Sequence, residues 1–165
     1  MALADLGKYD LLDLILASSW PEEKKADTVL KFNYALSGFL SEKLSSHFDE
    51  KSDQEFFELL KKPDITEQQV KDFYSSKVPD FEGVIDQLVL EFKKMFLMKV
   101  YQNKISELKK SLSGMEKAME KEKTDIQTNL MRMIGDESST YEQMLLYCEQ
   151  DNWDKVWELI QTLPH

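Results

Sequence analysis

After Pro79 the chain meets no further proline before Pro164, and the stretch from Pro79 to Ile134 holds only two glycines, Gly83 and Gly114. No other part of the 165 residues sustains a helical pattern for so long. Its apolar positions fall in two phases. Val84, Ile85, Leu88, Val89, Phe92, Met95 and Phe96 make the broad stripe of a helix packed in a globular core. Met98, Tyr101, Ile105, Leu108, Leu112, Met115 and Met119 then advance by alternating threes and fours, the narrower seam of a heptad coiled coil. Beyond Met119 the seam positions are Glu122, Ile126 and Asn129, so the pattern degrades. About three clean heptads remain, the least from which such a seam can be read.

Gly114 costs a helix about 1 kcal/mol relative to Ala. The three-four rhythm nevertheless continues through it, and Gly114 itself lies off the seam. The pattern favours one helix of about 80 Å, at 1.5 Å per residue, over a bend or short hairpin near Ser111–Gly114. Such a helix needs cover from Ile105 to Met119. The C-terminal helices folding back, a second copy of the chain, or a foreign helix could supply it.

Charge is distributed to match the first of these. The net charge is −10. Residues 1–78 carry 10 basic and 15 acidic groups, residues 79–134 carry 10 and 9, and residues 135–165 carry 1 and 7. Lys93, Lys94, Lys99, Lys104, Lys109 and Lys110 face only Glu107 within their stretch, so an acidic C-terminus folded onto them would be complementary. The acidic total disfavours a general nucleic-acid or anionic-membrane binder. A nucleic-acid contact through Lys93–Lys110 ranks last among the readings.

The remaining chain reads as helices as well. Residues 3–17 are apolar almost all round. Ser19-Trp20-Pro21-Glu22 opens a helix to about His47 with Ala26, Leu30, Asn33, Leu36, Leu40 and Leu44 on one stripe. Ser52–Glu55 and Thr66–Gln69 are capping boxes for two short helices closed by Pro63 and Pro79. Gly135–Ser139 reads as a turn, and Ser139–Glu142 as a further capping box. Residues 139–163 form either two helices broken at Asp151-Asn152 or one kinked helix. No stretch alternates as a strand would, and few Gly and Pro argue against an all-β fold. The expected class is all-α: an N-terminal helical domain over 1–98, a coiled-coil-like extension of the long helix over 99–134, and a C-terminal helical hairpin over 135–165.

Catalytic and metal signatures are missing. The two histidines are His47 and the terminal His165, with no Glu-x-x-His. Cys148 is the one cysteine. It cannot form an intrachain disulfide or a multi-cysteine zinc site, and its apolar neighbours describe a buried thiol in a reducing compartment. Asp49–Leu60 fails as a calcium loop at Lys51, Gln54 and Leu60. No phosphate-binding glycine motif or nucleophile elbow occurs. Leu11–Ala17 is too short to span a bilayer, and the N-terminus lacks a secretory signal pattern.

Two resemblances accompany this reading. Trp20-Pro21-Glu22-Glu23-Lys24-Lys25, then Glu55-Phe56-Phe57-Glu58-Leu59-Leu60 and Val78-Pro79-Asp80-Phe81-Glu82 give residues 5–98 the order of an uncharacterised family of small acidic all-helical bacterial proteins. That resemblance implies an all-α fold and no activity. Residues 147–156, Tyr147-Cys148-Glu149-Gln150-Asp151-Asn152-Trp153-Asp154-Lys155-Val156, resemble the helix–turn–helix of small adaptor and chaperone proteins, where an aromatic after the turn packs between two helices. A single unit is present, short of a solenoid.

The expectation is a cytoplasmic, non-enzymatic interaction or scaffold protein without cofactor or metal. Its partner is a protein, either itself as a homodimer or another helical protein, and not a membrane. Ile105, Leu108, Leu112, Met115 and Met119 are the candidate contact residues on the seam. In the alternative, an adaptor-type module grips a client helix through Trp153 and Trp157.

Overall fold

The computed structural model describes residues 2–118 and 124–164. Among them every regular element is helical, and no strand occurs. A short 3-10 helix, Leu3–Lys8, is followed by α1 (Leu11–Leu14), α2 (Glu22–Ser45), α3 (Glu50–Leu60), α4 (Glu67–Lys77), α5 (Phe81–Ala118), α6 (Asp125–Glu149) and α7 (Trp153–Ile160). The chain divides into two compact units, Glu22–Phe92 and Met1–Pro21 with Lys93–His165. The first part of α5 belongs to one and the rest to the other.

The Glu22–Phe92 unit closes around Leu44, Tyr74, Val78 and Phe81, with Phe48, Phe56, Val70 and Leu88 packed against them. Rings dominate. Phe48 stacks on Tyr74 at 5.5 Å and meets Phe73 edge-on at 5.4 Å, and Tyr74 stacks on Phe81 at 6.1 Å. Thr66 and Gln69 form the expected reciprocal cap of α4. α3 starts one turn earlier than its sequence suggests, because Asp49 accepts from the Ser52 backbone N–H at 2.7 Å. On α2 the expected stripe holds at Leu36, Leu40 and Leu44 but not in the first half of the helix. Phe32 and Phe39 pack on Phe92 at 5.2 and 5.3 Å, while Ala26, Leu30 and Asn33 lie exposed. Two phenyl rings bury more apolar area than Ala26 and Leu30 could, so the rings set the face and Asn33 is no core residue.

In the other unit, α5 from Lys93 onward runs antiparallel to α6. Lys94 bridges Asp151 at 3.0 Å, and Lys109 bridges Glu142 at 2.9 Å; numbers rise along α5 as they fall along α6. The 3-10 helix and α1 dock on the same stretch. Lys93 Nζ donates to the carbonyls of Leu6 and Tyr9, serving the last carbonyls of the 3-10 helix as a cationic cap. The Tyr101 hydroxyl donates to the Leu14 carbonyl at 2.7 Å. Tyr9 stacks on Trp157 at 5.3 Å and donates to the Asp154 carboxylate. Just past the end of α6, Asp151 takes the left-handed region, φ 53°, and the Asn152 N–H returns to the Tyr147 carbonyl at 2.9 Å.

Two expectations are corrected here. α5 does continue through Gly114 and is described as far as Ala118, but it does not run on to Ile134, since a separate helix starts at Asp125. The segment expected as one extension over 99–134 is shared between α5 and α6. α6 begins at Asp125 because Thr124 and Gln127 form a reciprocal cap, each bond 3.2 Å, satisfying first-turn N–H groups. Folding back also buries Ile105 and Leu108 within the chain, which a straight rod leaves open. Gly135–Ser139 and Ser139–Glu142 consequently lie inside α6 instead of forming a turn and a helix start. The terminal segment resolves into two helices, α6 and α7.

Candidate interaction face

α5 and α6 are covered unevenly along their length. At the basal end, Leu97, Tyr101, Ile105 and Leu108 of α5 are buried together with Tyr141, Met144 and Cys148 of α6. Tyr101 meets Tyr141 at 5.9 Å. Leu6 and Leu14 from the N-terminal segment and Trp153, Val156 and Ile160 of α7 are buried in the same unit. Burial pushes the Cys148 thiol and the Tyr141 hydroxyl each up to about 12, and raises Tyr101 well above its ordinary value. Cys148 is therefore a protonated, enclosed thiol.

Burial then stops. Among the described residues between Lys109 and Glu137, none is buried. Leu112 and Met115 are half-buried. On α6, Ile126 is 80% exposed, Leu130 46% and Met133 63%. Their spacing of four and three residues puts them on one face. That face is not a separate feature. Met144 lies 18 residues from Ile126, five full turns on, and so on the same side of the helix. The side of α6 that is enclosed at Met144 and Cys148 thus carries apolar residues again at Ile126, Leu130 and Met133, where it is open, with Glu137 and Thr140 between the two groups.

The residues expected to bind a partner fall on both sides of this divide. Ile105 and Leu108 are each 8% exposed and serve the unit's own core. Leu112 and Met115 lie on the uncovered side, and Met119 lies outside the described residues. Trp153 is 1% exposed and so closed to a partner, and half-buried Trp157 has one ring face taken by its stack on Tyr9. Of the six lysines, Lys93, Lys94 and Lys109 are engaged within the unit. Two of those engagements are the expected fold-back of acidic residues onto this stretch.

Ile126, Leu130 and Met133 were not among the expected contacts. The signal for them is Thr124-Asp125-Ile126-Gln127, whose capping-box spacing restarts the helix.

The Glu22–Phe92 unit has an open groove of about 540 Å³ beside α3 and α4, lined by Lys51, Glu55, Glu58, Lys62 and Phe73 among others. Its charges are mixed, and Lys77 pairs with Glu55 at 3.1 Å at its margin. Among the described residues, no cluster of three His, Cys, Asp or Glu side chains is placed to hold a metal. No described helix is long and apolar enough to cross a membrane. No family model, no curated protein and no solved structure matches the chain.

Proposed function

We propose that this is a non-enzymatic helical interaction protein that holds a helical protein partner on the uncovered half of α6, flanked by Leu112 and Met115 of α5. The observation that carries the reading is the return of apolar residues, uncovered, on the side of α6 that is enclosed further along. The residue types that form a core at Met144 and Cys148 recur, open to solvent, at Ile126, Leu130 and Met133. Large apolar side chains clustered in the open on one helix face mark an interaction site. A helix laid along it would supply the third side that the N-terminal segment and α7 supply at the basal end, the helix-in-groove mode of recognition. Methionine fits this use: Met115 and Met133 lie in the stretch without buried residues, and unbranched thioethers adapt to a partner's contour. A cytoplasmic, reducing setting agrees with the single, enclosed Cys148, and a bacterial one with the resemblance of residues 5–98.

Photo-crosslinking tests the reading. A benzophenone side chain at position 130 captures a second polypeptide, whereas the same group at exposed Lys99 does not. Crosslinks from position 130 that only return to the same chain would defeat it.

A further inference from the structure

We infer that the partner on this face is a second copy of the chain, with the two α6 helices antiparallel and centred near residue 128. The inference rests on the proposed interaction face and names its occupant. Two copies related by a two-fold axis pair residue i with residue j when the sum of their numbers is constant. Ile126 and Leu130 have residue 128 as their midpoint; the midpoint of Asp125 and Arg132 lies half a residue further on. One register therefore sets Ile126 against Leu130 of the second copy and Asp125 against its Arg132, and each pairing occurs twice.

The charged pair is placed for this. Asp125 and Arg132 are seven residues apart, two helical turns, so they lie along the same edge of the apolar stripe. In an antiparallel two-fold pair, like edges meet. Both residues are exposed, and neither has an ion-pair partner among the described residues. Arg132 is the one arginine in a chain with 20 lysines. Guanidinium is the cation suited to bidentate carboxylate pairing at an interface. Asn129, exposed and within a residue of the midpoint, carries an amide that both donates and accepts, so it can meet its own copy across the axis. A foreign helix would need to bring all of these groups, whereas a second copy already has them in register.

The test uses the full chain. Sedimentation equilibrium from micromolar to near-millimolar concentration should show a monomer–dimer equilibrium. Arg132→Asp and Asp125→Arg should each weaken the dimer by about ten-fold or more, since each turns two attractions into two repulsions. An equimolar mixture of these two variants should form a heterodimer at least as tight as wild type, because both of its charge pairs are complementary. That restoration separates the proposal from misfolding of either variant. A chain that stays monomeric throughout, or a dimer indifferent to both reversals, overturns the second copy as occupant. A monomer whose position 130 still crosslinks to a different protein removes this inference and leaves the interaction face standing. A monomer whose position 130 crosslinks to nothing removes both.

Discussion

The basal and distal halves of the α5–α6 pair are built from similar residues and meet different fates. Basally, Leu97, Tyr101, Met144 and Cys148 are enclosed; distally, Met115 is half-covered and Ile126 and Met133 stand open. Side-chain chemistry does not separate them, since Met144 and Met133 are the same residue on the same side of α6. The difference is the third wall. Near Lys93 and Tyr101 the N-terminal segment and α7 close the unit through the Leu6, Tyr9 and Leu14 carbonyls and the Tyr9–Trp157 stack. Two helices alone cover only part of a broad apolar sector, and among the described residues between Lys109 and Glu137 none is buried.

The sharpest way to break this contrast is a matched truncation. Met144→Ala empties a fully enclosed position and should cost about 2–5 kcal/mol in urea unfolding of dilute protein. Met133→Ala should stay within about 0.5 kcal/mol of wild type. Equal losses at both sites would show that Met133 is part of the core after all.

The enclosed half should also set the alkaline limit of stability. Cys148 and Tyr141 are held neutral to about 12, against ordinary values of 9.0 and 10.0. Above those ordinary values the unfolded chain releases protons that the folded chain retains, so the unfolded state binds fewer protons and stability falls as pH rises. Unfolding free energy should be level up to about pH 8 and decline from about pH 9 to 12. Cys148→Ala should make the early part of that decline shallower. A profile level to pH 11 would show that these groups titrate freely in the folded state.

A smaller effect probes the wall itself. Tyr101→Phe leaves the buried Leu14 carbonyl without its donor and should cost about 1–2 kcal/mol, read from the same denaturation curves. No loss would mean that water reaches that carbonyl. Smallest is Gly114→Ala. A methyl group there meets nothing within 4 Å, so exchanging glycine for a good helix former should stabilise α5 by about 0.5–1 kcal/mol. Destabilisation would place a neighbour against that face.

Much of the architecture was readable from residue order. The all-helical class, the Thr66 cap, the passage of α5 through Gly114 and the fold-back of acidic residues onto Lys94 and Lys109 all followed from local rules. The start of α6 did not, because a decaying heptad seam and a capping box overlap there. Asn129 and Glu122 weaken the seam by degrees, whereas Thr124 and Gln127 start a new helix through four atoms in the right geometry. The division of the candidate residues was also illegible for a physical reason. Periodicity shows which residues share a face, but not which neighbouring element covers it. Ile105 and Leu112 look alike in sequence and differ only in what lies opposite.

Methionine oxidation measures the contrast directly. Brief peroxide treatment of dilute protein, followed by mass spectrometry, should oxidise Met133 nearly as fast as in the unfolded chain while sparing Met144. Raising the protein concentration should slow Met133 and leave Met144 unchanged. Protection of Met133 at every dilution would mean that its own chain already covers the distal stripe, and the interaction face would not exist.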